Sequence, residues 1–279
     1  NGEGTIFGIF KSIDGGNNWS LKTNGVSAPP EGIVFRGFTV QSGNSSVVHA
    51  MAEVRSPIQG REFNRVKGRV YKSVNGGESW TLLWEGNDLA RYLIIEPGNN
   101  ATLYLSTGIF DREAYNSDCA AGIYGGVGIL KSTDGGVTWT AINNGITSLY
   151  TGSLRMHPSN SRILFAASGN NACSGGSEGN QLGGLFRTTD GGATWTKVIS
   201  GDIMTTVNFA PSNPDIVYSG SASAFYRSID GGLTWSTYSR SGNSPWGPEG
   251  VRAGVPIDVV VDPNDPDKLY ANNYGGGVF

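Results

Sequence analysis

Five carboxylates, Asp88, Asp111, Glu113, Glu178 and Glu249, fall in segments with no strand pattern. Glycoside hydrolysis needs two such groups facing each other across roughly 5–10 Å, one as acid and one as base or nucleophile. Asp111, Glu113 and Glu249 are the candidate catalytic residues. The first two share their segment with Phe110, Arg112, Tyr115 and Tyr124, and the third shares its own with Trp246 and Arg252. Arg61 and Arg65 lie in another such segment, beside Arg55 and Glu62. Flat aromatic faces next to charged donors and acceptors are what a sugar ring requires, so these are the candidate ligand-binding residues. The plainer reading of each is a solvated loop charge or a packing aromatic.

Other chemistries are poorly served. His49 and His157 are the two histidines, and neither is spaced with other ligands for a metal. There is no nucleophile elbow, P-loop, dinucleotide fingerprint or calcium loop, so no cofactor and no metal is expected. A net charge of −3 gives no electrostatic case for nucleic acid, and no apolar run is long enough to span a bilayer. Glycan or protein ligands remain. Asn18, Asn44 and Asn100 stand in Asn-x-Ser/Thr sequons, which matter only in a eukaryotic secretory route.

The elements that must position these residues announce themselves as a repeat. Ser12-Ile13-Asp14-Gly15-Gly16-Asn17-Asn18-Trp19 recurs around Asn75 and Trp80, Asp134 and Trp139, Asp190 and Trp195, and Asp230 and Trp235. The pattern is a hairpin turn. Asp or Asn accepts from backbone N–H groups ahead of it, the Gly pair supplies positive φ, and Trp anchors the next strand. These Asp and Asn residues are therefore expected to be structural. A basic residue, Lys11, Lys72, Lys131, Arg187 or Arg227, precedes each copy and reads as a solvated strand end.

Two strand-like runs and a short third precede the turn, and one strand succeeds it. Glycine-rich composition, with 43 glycines, suits short strands and tight turns rather than helices. Each unit is then a four-stranded antiparallel blade, and the fold class is an all-β propeller. The central Asp/Asn positions are 61, 59, 56 and 40 residues apart, and the surplus falls mostly between second and third strands. Those loops, with the inter-blade connections, lie on the face opposite the repeat turns, where a ligand would sit. Cys119 and Cys173 occupy matching loops of adjacent blades, which makes a disulfide between them an expectation beside the alternative of two free thiols.

On these five turns the chain resembles the Asp-box, or BNR-repeat, propellers. They include sialidases, xyloglucan-hydrolysing glycosidases, sortilin-type receptors and photosystem II assembly-factor propellers. Asp262-Pro263 followed by Leu269-Tyr270 is similar to the xyloglucanase-like branch. That resemblance implies a catalytic Asp after Tyr270-Ala271, but Tyr274 fills its place here. Ala50-Met51-Ala52-Glu53-Val54-Arg55 resembles the stretch before a sialidase's first box, yet no Asp lies between Arg55 and Ser73 to complete that site. An assembly-factor likeness would rest on a basic patch from Arg55, Arg61, Arg65 and Arg69.

Residues 1–279 read as one propeller domain with partial blades at both ends. Phe279 holds the same strand position as Phe10, and this favours a segment of a six- or seven-bladed ring. The expectation for function is a secreted or surface-exposed module, or a periplasmic one, that is non-catalytic and serves as a binding or structural module for glycans or proteins. A xyloglucanase-like hydrolase and an assembly-factor-like protein binder are the alternatives.

Overall fold

The computed structural model describes residues 8–27, 32–55, 66–108, 117–118, 123–124, 126–169, 183–221, 224–238, 256–273 and 277–278. Among them are strands and turns but no helix. The chain opens with the antiparallel pair β1 (Phe10–Lys11) and β2 (Ser20–Leu21). Blade I is β3 (Ile33–Val40), β4 (Val48–Arg55), β5 (Val66–Ser73) and β6 (Thr81–Gly86). Blade II begins with β7 (Ala90–Glu96) and β8 (Asn99–Thr107). A small hairpin, β9 (Ser117–Asp118) with β10 (Ile123–Tyr124), comes next, and β11 (Ile129–Ser132) and β12 (Thr140–Ala141) complete the blade. Blade III is β13 (Thr151–His157), β14 (Asn160–Ser168), β15 (Gly184–Thr188) and β16 (Thr196–Ser200). Blade IV is β17 (Met204–Ala210), β18 (Asn213–Ser221), β19 (Phe225–Ser228) and β20 (Ser236–Tyr238). The last sheet has three strands, β21 (Pro256–Val261), β22 (Leu269–Asn273) and β23 (Gly277–Val278).

Four successive four-stranded antiparallel sheets, each strand pairing with the next in its blade, make this a β-propeller. The first strands, β3, β7, β13, β17 and β21, pack against one another in chain order and so form the inner arc of the propeller. A blade has a neighbour on each face, so its second strand is buried on both sides. That strand reads as an unbroken run rather than an alternation: Thr102–Thr107 on β8, Leu164–Ser168 on β14 and Ile216–Ser221 on β18. The apolar core is accordingly a series of layers between blades. Tyr104 and Ile129 of blade II meet Leu154, Leu164 and Phe186 of blade III. Phe165, Ala167 and Leu185 of blade III meet Val207, Phe209 and Val217 of blade IV.

The repeat turns share one hydrogen-bond pattern. Ser132 Oγ donates to Asp134 Oδ1 at 2.7 Å and accepts from Gly136 N at 2.8 Å, while Thr138 N donates to Asp134 Oδ1 at 2.9 Å. Gly135 and Gly136 hold φ at 75° and 96°, where a side chain is strained. The first Gly also donates its N–H to the opening residues of the second strand, next to the turn between strands one and two of its own blade, as in Gly135 N to Ala101 O on β8 and Gly231 N to Asp215 O on β18, both 2.8 Å. Both kinds of turn therefore lie on one face, and the connections before each first strand lie on the other.

Lys11, Lys131 and Arg187, the basic residues ahead of three of the turns, are not solvated strand ends. Lys131 Nζ donates to Gly191 O at 3.2 Å, Arg187 Nε to Gly231 O at 3.0 Å, and Lys11 Nζ to Glu78 Oε1 at 3.2 Å. Each of these cations reaches the repeat turn of the next blade, because the stacked blades bring that turn's acceptors under the strand end. Trp80 and Trp195 tie blades in the other direction. Their indole N–H groups donate to Lys22 O at 3.0 Å and Ile142 O at 2.8 Å, both in the preceding unit.

Candidate functional site

Every first strand carries a bulge near its start. The register slips between Phe35 and Gly37, Ala90 and Tyr92, Thr151 and Ser153, Met204 and Thr206, and Pro256 and Asp258. The extra residues are Arg36, Arg91, Gly152, Thr205 and Ile257. A bulge breaks the strict alternation of side chains and re-aims the residues beyond it. Here it does so at the end of the channel away from the repeat turns.

A polar cluster forms there. Arg155 on β13 places its guanidinium carbon 4.3 Å from the centre of the Tyr92 ring on β7. Its Nη2 lies 3.2 Å from Asp258 Oδ1 on β21. One side chain thus touches the preceding blade and reaches past β17 to β21. Asp258 Oδ1 also accepts from Thr206 Oγ1 at 3.3 Å and from Val259 N at 3.0 Å. Asp258 N donates to Asn272 Oδ1 at 2.6 Å. Arg36 grips Glu53 with two parallel hydrogen bonds, Nε to Oε2 at 2.8 Å and Nη2 to Oε1 at 2.7 Å. Arg91 sits 4.8 Å from the Tyr92 ring centre.

The two acids of the cluster are thus each spoken for by an arginine. A different carboxyl stands apart. Asp88 lies in the connection from β6 to β7, half-buried, and burial pushes its pKa up to about 6. It has no hydrogen-bond or ion partner among the described residues. Its counterpart before β17 is Asp202, also two residues ahead of the strand's first paired position. Asp202 accepts from Ser221 Oγ at 2.5 Å and from Ile203 N at 2.8 Å. In blade II the residue matching Ser221 is Thr107, whose hydroxyl instead donates to Gly128 O at 2.8 Å. The same backbone position is therefore satisfied in one blade and left open in another.

The turn carboxylates are electrostatically different. Asp14 is held down at about 2, chiefly by the Asn18 backbone N–H, and Asp134, Asp190 and Asp230 are held well below the usual range, chiefly by the hydroxyls of Thr138, Thr194 and Thr234. Groups fixed in the ionised form by their own turn make poor proton shuttles.

Most residues singled out in the sequence lie outside the described residues: Asp111, Glu113, Glu178, Glu249, Arg61, Arg65, Phe110, Arg112, Tyr115, Trp246, Arg252, Tyr274, Cys119 and Cys173. Tyr124 pairs with Ser117 in the β9–β10 hairpin, and Arg55 pairs with Val66 at the end of β4. Arg69 is no part of a free basic patch: Nε donates to Glu85 Oε2 and Nη1 to Ser27 O, each at 2.6 Å. The channel cluster was missed. Its one sequence signal was a charge inside an otherwise apolar strand run, as in Ile257-Asp258-Val259 and Phe35-Arg36-Gly37.

No family model matches the sequence. It is 26% identical over 229 residues to a xyloglucanase of Hypocrea jecorina, a match covering 76% of this chain and 23% of that protein. Among solved structures, a GH74 enzyme of Niastella koreensis superposes with a TM-score of 0.59 and 21% identity over 87% of this chain and 35% of its own. YCF48 bound to D1 peptide superposes with a TM-score of 0.54 and 17% identity over 96% of this chain and 70% of its own. The chain spans about a quarter of the curated relative's length, and the two structures share its fold.

Proposed function

We propose that the chain belongs to an Asp-box propeller of six or seven blades that binds a glycan at the channel mouth opposite the repeat turns, outside the cytoplasm. The observation that carries this reading is the state of the acids there. Asp258 and Glu53 are both paired with arginine, so the mouth offers guanidinium donors and hydroxyls rather than two free carboxyls. Such donors suit sugar oxygens; proton transfer in both directions needs unpaired acids.

Likeness to a xyloglucanase supports a second reading, glycoside hydrolysis. Asp88 supports it too, because a carboxyl raised to about 6 keeps its proton in mildly acidic solution, as a general acid must. Its partner carboxylate would come from Asp111, Glu113 or Glu249.

One experiment separates the two. The purified chain is tested for binding to, and release of reducing sugar from, a panel of plant and microbial polysaccharides, alongside Asp88→Asn. Retention without turnover is expected. Turnover that disappears in Asp88→Asn would establish the hydrolase instead. If no polysaccharide is held or cut, the glycan reading fails and a protein ligand takes its place.

A further inference from the structure

Three Asn-Gly pairs lie among the described residues: Asn24-Gly25, Asn75-Gly76 and Asn144-Gly145. Such a pair is a chemical weak point. Glycine has no side chain to shield its backbone nitrogen, so that nitrogen can attack the amide carbon of the preceding asparagine. All three asparagines are exposed, but the structure treats the pairs differently. Gly76 N donates to Ser46 O at 2.8 Å. The Asn75 amide is held at both ends, Oδ1 accepting from Ser73 Oγ and Ser79 N, and Nδ2 donating to Ser79 Oγ. Attacking nitrogen and attacked amide are thus both locked into the repeat turn. At Asn24 and Asn144, neither the side-chain amide nor the N–H of the following glycine has a hydrogen-bond partner among the described residues.

The two open pairs occupy equivalent turns. Val26 N donates to Thr23 O and Ile146 N to Asn143 O, each at 2.9 Å, and Gly25 and Gly145 hold φ at 84° and 95°. Each turn docks the tryptophan of the next blade: Trp80 N donates to Asn24 O and Trp195 N to Asn144 O, both at 2.8 Å. The reacting asparagine is therefore the one whose carbonyl carries an interface between blades. Ring closure requires that carbonyl to turn, so the reaction goes through a brief undocking of the tryptophan.

We infer that Asn24 and Asn144 are modification sites, at which spontaneous deamidation leads to isoaspartate and loosens the blade that follows, while Asn75 is protected. The glycine nitrogen gives its proton to solvent base and bonds to the asparagine Cγ. The Cγ–Nδ2 bond breaks, ammonia leaves with a proton from water, and a succinimide ring remains. Water then opens the ring. Cleavage between the nitrogen and Cγ leaves aspartate in an unchanged main chain. Cleavage between the nitrogen and the α-carbonyl carbon leaves isoaspartate, whose main chain runs through Cβ and Cγ and is longer by a methylene. The carbonyl that received the Trp80 or Trp195 N–H has then become a free carboxylate, and the glycine lying under that tryptophan's own carbonyl is displaced. This inference does not depend on the glycan reading.

The test is peptide mapping by mass spectrometry of the whole chain, held folded at mildly alkaline pH for increasing times, with a second sample held in urea. Cleavage after lysine and arginine puts the three asparagines on separate peptides. Isoaspartate is read by enzymatic methylation of its carboxyl. In urea all three pairs should deamidate alike, because each presents the same glycine nitrogen. In the folded chain Asn24 and Asn144 should gain isoaspartate, and Asn75 should lag by roughly tenfold or more, since its hydrogen bonds must break before the ring can form. The aged wild type should melt lower than the fresh protein. A double variant, Asn24→Gln with Asn144→Gln, should keep its melting temperature over the same period, because glutamine must close a larger and slower ring. Asn75 reacting as fast as Asn144 in the folded chain would overturn the protection. No isoaspartate at Asn24 or Asn144 in the folded chain, while the urea sample reacts, would overturn the sites. Isoaspartate at both with an unchanged melting temperature, or an equal fall in the double variant, would overturn the loosening of the blades.

Discussion

At the scale of single residues, the repeat turn contains its own control. Asn75 does in blade I what Asp134 does in blade II: its Oδ1 accepts from Ser79 N at 3.0 Å, and its Nδ2 donates to Ser79 Oγ at 2.8 Å. The geometry therefore needs an acceptor at that atom and not a negative charge. Asp134→Asn should fold with a melting temperature close to wild type at pH 7, and Asp134→Ala should melt lower, since Ser132 Oγ and Thr138 N both lose their acceptor. Acid separates them further. A carboxylate whose folded pKa lies below the unfolded value contributes stability that is present above the ordinary carboxylate range and lost as pH falls through the folded value. Wild type should thus lose that contribution below about pH 3.8, while Asp134→Asn should not. Melting curves at pH 7 and pH 2.5 decide it, and an asparagine variant as unstable as the alanine one would show that the charge itself matters.

Across elements, the blades also align at the residue facing each basic latch. Lys131 pairs across the ladder with Tyr104, Arg187 with Phe165 and Arg227 with Tyr218, and each cation lies over the aromatic ring at 4.9, 5.9 and 5.9 Å. In blade I the partner of Lys72 is His49. It is 2% exposed, and neither ring nitrogen has a hydrogen-bond partner among the described residues. Burial, reinforced by the Lys72 charge, holds its pKa down at about 4. Its proton is therefore bound more tightly in the unfolded chain than in the folded one. Stability is complete above about pH 6.5 and falls as pH drops towards 4, by as much as about 3 kcal/mol. His49→Phe, which installs the residue found in blade III, should abolish this slope between pH 6.5 and 4 in urea-denaturation midpoints. A slope unchanged in the variant would mean that His49 stays neutral without cost.

These elements differ in how far their sequence betrays them. The repeat turn was legible because its bonds join residues two to four apart, as from Ser132 to Asp134 and from Asp134 to Thr138, so residue types at fixed offsets determine it. The latches were misread because Lys131 and Gly191 are 60 residues apart and meet only once blades stack. Arg155 and Asp258 are 103 apart and meet only once three blades stand side by side. A bulge leaves almost no mark in sequence, and without it Arg91 would have been assigned to the face opposite Tyr92. Of the loop residues with candidate chemistry, Tyr124 lies in the β9–β10 hairpin, whereas Phe110, Asp111, Arg112, Glu113, Tyr115, Trp246, Glu249 and Arg252 lie outside the described residues.

For the molecule as a whole, stability resides between blades, and the contact of blades III and II shows how little backbone freedom that leaves. Trp195 N donates to Asn144 O at 2.8 Å, and its indole reaches Ile142 O in the same preceding segment. Gly145 lies under that contact with φ at 95°. A Cβ there would be driven into the carbonyl oxygen of Trp195, which is backbone and cannot rotate away. Gly25 stands in the same relation to Trp80 one interface earlier, so the requirement comes from stacking and not from local sequence. Gly145→Ala should then cost about 2 kcal/mol or more, combining left-handed strain with displacement of a docked tryptophan. The damage should not stay local. Trp195 belongs to the apolar layer that includes Tyr104 of blade II and Phe186 of blade III, so loosening it exposes both sheets at once. Hydrogen exchange on the variant should show faster exchange in β8 and β15 together. Faster exchange confined to residues near 145 would mean that each blade holds itself together, and that the layers between blades contribute less than their burial implies.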